Sequence, residues 1–561
     1  MTATRPRIQS RRPGLLRLLA GQTGYALLGL WRSRMVLIFT FAMPLVWLVI
    51  IGIVAGNETV DPVSGVRVMQ FVTPVAISMG TFFGTFPTLA TALSEARDGG
   101  VLKRIRGTPL PAWAYLAGQI TAAVLFALAS LVVTLTVAVL AYDVEIIART
   151  ALATAVTVIV GITAFAALGL AVAAVSLTTA LAQAIATGSA IILSFISGLF
   201  VIGGELPGWL SSLASVFPLK PYNEALKHQF DPFQTGAGWD LGALAILAAW
   251  AAAATVTAAV AFRWQPRAAR AAASGGGAAA VGSEAAASGG AAGAASGAVA
   301  DTAPVARTVA RPSVARLVLG QAVAANRATW RDPGSLLFVV IPVGLYALLL
   351  AIQGNVTLPN GLPFATFHAA SMVAWGAGTA LFMNLPDAVA RARDRGVLKR
   401  LRGTPLPAAH YVAGNTVMGF GLTLFVALLV LVTGWLFFEL RIPAAGLLVG
   451  LLVLLVGVLS LAAGGFLLAA LVRNSRAVAA VGLAVLFVLS FFSDVFLVGG
   501  PEWMGNVGAL FPLKHLQNGL ADAWDPSGPV IAWENLAVMA GWAVGAGALS
   551  VRFFRWEPRR S

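Results

Sequence analysis

Apolar positions along this chain come in long unbroken runs. Residues 35–55, 126–141, 151–175 and 446–471 contain no charged residue. A helix needs about 20 apolar residues to cross a hydrocarbon layer roughly 30 Å thick. With their flanks, most runs meet that length. The pattern predicts six spans near 35–55, 69–93, 113–141, 150–175, 184–203 and 241–262. Six more fall near 335–353, 367–389, 409–438, 445–471, 478–498 and 533–553. Residues 15–31 differ: Arg17, Gln22 and glycines interrupt the run, and Arg32 and Arg34 follow it. That pattern predicts an amphipathic helix lying in the inner interface, and residues 314–330 repeat it. The polar segment 203–240 holds apolar pieces at 209–216 and 222–226, which predict short helices dipping into the outer leaflet.

The chain is one unit written twice. RDGGVLKRIRGTPLP at 97–111 returns as RDRGVLKRLRGTPLP at 393–407. SFISGLFVIGG (194–204) pairs with SFFSDVFLVGG (490–500), and FPLK at 217–220 returns at 511–514. FRWQPR (262–267) has a near copy at 554–559, and RLLAGQ (17–22) pairs with RLVLGQ (316–321). An even number of spans per unit gives both units the same orientation, as in parallel repeats. The expected fold is an all-α polytopic membrane protein of 12 transmembrane helices in two parallel six-helix repeats. The domains read as an N-terminal cytoplasmic and interfacial segment (1–34), a first unit (35–267), a linker (268–306), a second interfacial helix (307–334), a second unit (335–555) and a tail (556–561). The linker is Ala, Gly and Ser with no apolar period, so it reads as a disordered tether.

Composition agrees. Only 11% of residues are charged and mean hydropathy is +0.86, whereas soluble chains carry about 25% charged residues. The net charge of +15 raises the question of nucleic acid, and charge placement answers it. On the predicted topology 31 of 37 Lys and Arg fall on one side. The exceptions are Arg67, Arg149, Lys220, Lys227, Arg441 and Lys514, while 14 of 22 acidic residues fall on the other side. Basic loops stay in the cytoplasm. The excess is therefore an orientation signal, both termini are expected in the cytoplasm, and no nucleic-acid partner is expected. Cysteine is absent, which excludes disulfides and thiolate metal sites. The Arg-rich leader is too long for a cleavable signal. Arg outnumbers Lys 32 to 5, the habit of a GC-rich bacterial genome, and a bacterial plasma membrane is the expected location.

The repeated cluster lies between the second and third spans of each unit. Val101, Leu102 and Ile105 fall on one helical face and Lys103, Arg104 and Arg106 on the rest. Gly107 is expected to close this short helix in a left-handed cap. Thr108 is expected to cap the next helix, with Pro109 in its first turn. An orientation signal needs only positive charge, so keeping the same residue order twice implies a docking element.

This order of elements, with the Glu-x-x-x-Gly-x-Leu-Lys-Arg-x-Arg-x-Thr-Pro-Leu loop and the outer Phe-Pro-Leu segment, resembles the ABC type-2 permease family, the membrane subunits of ABC exporters. The fused duplicate resembles actinobacterial antibiotic and multidrug exporters of the tetronasin-transport kind. The resemblance implies that each loop is a coupling helix docking on an ATPase. The matching charged residues are Glu95, Arg97, Lys103, Arg104 and Arg106, then Arg393, Lys399, Arg400 and Arg402. Arg391 stands where the first unit has Glu95, so two unequal contacts are expected. None of the five lysines, Lys103, Lys220, Lys227, Lys399 and Lys514, sits in a phosphate-cradling Gly-x-x-x-x-Gly-Lys-Ser/Thr loop. ATP and Mg are therefore expected on a separate ATPase subunit, in two copies, with no cofactor, catalytic residue or metal in this chain.

The resemblance places the substrate path between the halves, along the second and fifth spans. Their aromatic and Met residues are Phe82, Phe83, Phe86, Phe195, Phe200, Met372, Trp375, Phe382, Phe491, Phe492 and Phe496. These give adaptable apolar contact and point to a hydrophobic or amphiphilic cargo, a drug or alternatively a lipid or glycolipid. Asp494 is an acid inside the fifth span, where the first unit has Gly198. It reads either as an exit-facing group or as a hydrated helix cap. Asp387 reads as the partner of a loop arginine and His368 as structural. A secondary transporter of the major facilitator type is the rival. Its Gly-x-x-x-Asp-Arg-x-Gly-Arg loop finds only a weak echo in Asp394-Arg395-Gly396, and charges for a proton relay are nearly absent from the spans.

Overall fold

In hydrocarbon every backbone N–H and C=O must be satisfied inside the segment, and Ala-, Leu- and Val-rich runs do this as helices. The computed structural model describes residues 15–54, 56–61, 65–108, 110–199, 207–264, 313–331, 333–404, 406–472, 475–496 and 501–553. The expected linker 268–306, the tail 556–561 and Phe200 lie outside the described residues. So do Pro109 and Pro405 of the repeated loops.

Among the described residues eight helices are long and apolar enough to cross a membrane. Five are in the first half: Val68–Asp98, Ala112–Tyr142, Ala148–Val175, Thr179–Ile196 and Leu241–Ala261. Three are in the second: Ala408–Phe437, Ala444–Leu471 and Trp533–Phe553. Three more apolar helices, Met43–Val54, Pro333–Gln353 and Ser475–Phe492, stand at other predicted spans. The predicted span 367–389 is covered by Phe364–Gly378, a π-helical turn Thr379–Asn384, and Leu385–Asp394. A second π turn, Ile38–Ala42, precedes Met43–Val54. Each π turn lies just before a proline, Pro44 or Pro386. Proline lacks the N–H that would bond the carbonyl four residues earlier, and the local register shifts to compensate. For Pro44 that carbonyl belongs to Thr40, and the Ser130 hydroxyl on the third helix donates to it.

The amphipathic segments form as expected, Leu15–Arg32 and Val314–Trp330. Each lies along the helix two spans on. A Cβ on Gly118 would meet Gln22, and one on Gly414 would meet Gln321. The repeated Gly-Gln pairs RLLAGQ and RLVLGQ thus end on a glutamine that seats against a glycine of the third helix. The outer segment folds as Gly208–Ser215 and Leu219–Phe230, echoed by Glu502–Gly508 and Pro512–Ala523. A small antiparallel pair, Thr59–Asp61 with Val66–Arg67, joins the first two helices of the first half. No strand was expected there.

Both fifth helices stop earlier than their apolar runs. The first ends at Ile196, where Gly198 turns left-handed at φ 72°, and the second ends at Phe492, where Asp494 does the same at φ 55°. The runs to 203 and 498 are therefore not continuous helix. The fifth helix of the first half packs on Pro333–Gln353 of the second, and Ser475–Phe492 packs on Arg34–Leu37 and Met43–Val54 of the first.

Candidate functional site

The two repeated basic segments form short helices, Val101–Arg106 and Val397–Arg402. Each starts at a glycine in the left-handed region, Gly100 at φ 73° and Gly396 at φ 69°. The expected left-handed closure at Gly107 is overturned, since Gly107 and Gly403 have ordinary negative φ. The sharp turn sits at the entry, where the long helix Val68–Asp98 must reverse into the short one. Thr108 does not cap the following helix, which begins at Ala112 after Pro111. Its hydroxyl donates instead to the Ile105 carbonyl at 2.6 Å, and Thr404 donates to Leu401 at 2.6 Å. Both threonines thus answer carbonyls that a helix end leaves unpaired.

Leu102 and Leu398 are fully buried and hold each helix to the body, while Val101 and Val397 stay exposed. Lys103, Arg104 and Arg106 are exposed, as are Lys399, Arg400 and Arg402. Arg97 and Arg393 part from this set. They are 6% and 7% exposed. Arg97 Nη1 donates to the Ala173 carbonyl at 2.8 Å, and Arg393 Nη1 donates to Ala469 at 3.0 Å. Those carbonyls lie in the last turns of Ala151–Val175 and Ala444–Leu471, where unpaired carbonyls and the negative end of the helix dipole attract a cation. Both arginines therefore brace the second helix against the fourth. Asp98 pairs with Arg97 Nε at 3.3 Å and accepts from Thr179 N at 2.9 Å, tying in the start of the fifth helix. Glu95 is exposed. Arg391, at its repeat position, pairs with Asp387 one turn back on the same helix, which identifies the expected arginine partner of Asp387.

At the middle of the molecule the expected aromatic residues divide into two groups. Phe195, Trp375, Phe491 and Phe496 meet in one cluster. Phe195 of the first half lies 6.2 Å from Phe496 of the second, between ring centroids, and Trp375 lies 5.5 Å from Phe496. Phe491 stands 5.7 Å from Phe496 and 5.5 Å from Trp47 of the first half. Trp47 and Phe487, 5.0 Å from Phe491, complete the seam and were not singled out from sequence. Trp47 is on the first span, so the second-and-fifth-span expectation passed over it. Its signal would have been its place as the one aromatic residue of Met43–Val54.

The other group packs within its own half. Phe82 stacks on Phe86 and lies 5.0 Å from Phe165 of the fourth helix, with Phe83 beside it. Met372 is fully buried in the core of the second half, and Phe382 faces Gly464 of Ala444–Leu471. Phe492 turns to Trp503 of the outer helix, 6.1 Å away. Asp494 lies beyond its helix and pairs with Lys514 at 3.0 Å, which ties it to the outer segment. His368 is sandwiched between Tyr346 and Phe364. Among the described residues no group of His, Asp and Glu has metal-binding geometry.

The profile of one protein family, described as ABC-2 type transporter, matches residues 23–230 and 322–523, most of the chain in two segments. Each segment runs from the amphipathic helix through the outer helix. No curated protein matches the chain.

Proposed function

On the premise that this chain belongs to the ABC-2 type transporter family and is the membrane-embedded permease component of an ABC transporter, we propose that it exports hydrophobic or amphiphilic compounds. Its spans number twelve, in two parallel six-helix repeats with both termini in the cytoplasm of a bacterial plasma membrane. Two copies of a separate ATPase dock on Val101–Arg106 and Val397–Arg402 and supply ATP and Mg.

The observation that carries this reading is the form of the two basic helices. Each buries one leucine, exposes three cations and is joined by a two-residue turn ending in a left-handed glycine to a helix braced by a buried arginine. In the first half a push on the basic helix passes to the second, fourth and fifth helices as one body, because Arg97 and Asp98 bind all three together. When ATP draws the two ATPases together, the halves tilt about the aromatic seam, closing it on the inside and opening it outside. The seam is apolar, which favours drug-like or lipid cargo.

The test is to purify the chain with its ATPase in lipid nanodiscs and measure ATP hydrolysis against a panel of hydrophobic drugs and lipids. Stimulation by a subset, abolished by Ala at Lys103, Arg104 and Arg106, is the expected result. Cargo movement by the chain alone, on an ion gradient without nucleotide, would overturn it.

A further inference from the structure

A cavity of about 500 Å³ opens in the first half, at the end remote from the basic helices. That volume lies in the range of drug-sized ligand sites, roughly 300–1,000 Å³. Trp47, Ile51, Val72 and Leu199 supply apolar walls from the first and second helices and the turn after the fifth. Three polar groups of the outer helix segment face it: Lys227, His228 and Asp231. Asp231 is already engaged, accepting from Phe233 N at 3.0 Å and from Gln234 Nε2 at 3.2 Å. Lys227 is half-buried, and neither it nor His228 makes a hydrogen bond or ion pair with a described residue. The nearby Glu224 is paired with Lys220 at 3.4 Å. Burial lowers the Lys227 pKa from its ordinary value, against the pull of Glu224 and with a smaller push from Lys220. Glu224, shared with Lys220, offsets this half-buried cation only in part, and an anion beside it would add charge-assisted hydrogen bonds.

The second half lacks this chemistry. The FPLK repeat places Ala521 where the first half has Lys227, and Asp522 where it has His228. Gly198 of the cavity wall corresponds to Asp494, whose carboxylate holds Lys514. At these positions one half is basic and the other acidic, although the surrounding helices repeat.

We infer that this cavity binds an amphiphile with one anionic headgroup, its carboxylate or phosphate against Lys227 and His228 and its hydrocarbon against Trp47, Ile51, Val72 and Leu199. The role as an exit-side cargo or lipid site rests on the export reading, whereas the binding chemistry does not.

Binding is therefore measured on the full chain without its ATPase, in non-ionic micelles, with radiolabelled oleate and oleyl alcohol. Oleate is expected to bind more tightly than the alcohol. Lys227→Ala weakens oleate about tenfold, the loss of one charge-assisted contact, and leaves the alcohol unchanged. Lys227→Arg retains oleate binding, and Val72→Trp, which fills the cavity, weakens both. Thermal unfolding confirms that each variant is folded. Displacement of oleate by phosphatidylglycerol supports the site and assigns it to a bilayer lipid. Lack of displacement, with oleate still dependent on Lys227, supports it and assigns it to a single-chain cargo. Equal oleate affinity in wild type and Lys227→Ala, or equal affinity for acid and alcohol, overturns the inference. Stimulation of the complete transporter by uncharged drugs would survive that outcome, so the export reading stands or falls separately.

Discussion

A guanidinium held out of water is tolerable only where acceptors surround it. Arg393 meets that condition with two carbonyls at the end of a neighbouring helix, whereas Arg97 meets it in part, with the Ala173 carbonyl at Nη1 and Asp98 at Nε while its Nη2 stays buried without an acceptor among the described residues. Arg97→Ala and Arg393→Ala should each cost about 3 kcal/mol, the price of losing a charged hydrogen bond and stranding its acceptors. Arg104→Ala, at an exposed position, should leave thermal unfolding unchanged and lower ATPase coupling. Equal melting of Arg97→Ala and wild type would show that the buried arginine is dispensable. The pair Gly198 and Asp494 gives a second contrast. Both sit at positive φ, a region that costs a residue with a Cβ about 1 kcal/mol. Gly198→Ala should destabilise by about that amount. Asp494→Gly relieves the strain while losing a partly exposed ion pair to Lys514 worth about 0–1 kcal/mol, so its melting temperature should stay close to wild type. A large loss of stability would mean that the Lys514 bridge does more than tie Asp494 to the outer segment.

The short basic helices show how one element can separate anchoring from docking. Leu102 is fully buried among Leu89, Leu93 and Tyr115, so Leu102→Ala should destabilise by about 2–4 kcal/mol. Replacing Lys103, Arg104 and Arg106 together touches only solvent-facing groups and should spare stability while reducing nucleotide-driven transport. Beside the changes of Gly99 to Arg395 and Ile105 to Leu401, the two elements differ in one acid, because Glu95 is replaced by Arg391, which is paired with Asp387. Glu95→Arg should therefore weaken ATPase association at the first helix more than Arg391→Ala does at the second. Pull-down of the ATPase by the two variants gives the comparison, and equal retention would make the two contacts equivalent.

For the whole molecule, the seam is where the halves meet ring on ring. Phe195 and Phe496 come from different halves, with centroids 6.2 Å apart. The chain contains no cysteine, so Phe195→Cys with Phe496→Cys forms a clean pair for a short bifunctional reagent. Cross-linking is expected in the resting state, with ATPase binding retained and transport lost. Undiminished transport by the cross-linked protein would show that the halves need not part there. With seam contacts of this kind, residues 268–306 should be dispensable as a bridge. Severing the chain there and co-expressing the halves should still yield the assembled protein in a single purified complex.

Sequence alone determined the membrane class, the repeat, the amphipathic helices and the basic loops, because hydropathy and order of residues are local properties written along the chain. It also located Phe195, Trp375, Phe491 and Phe496 by their type. It did not separate them from Phe82, Met372 and Phe382, since one helix presents aromatic residues both to its own bundle and to the other half. The same limit hid the burial of Arg97 beside exposed Arg104 and the pairing of Asp494 with Lys514. Those outcomes depend on which distant carbonyl, carboxylate or ring lies within a few ångströms. Only packing of helices remote in sequence decides that, and it set both the closed seam and the cation of Lys227 against an apolar cavity.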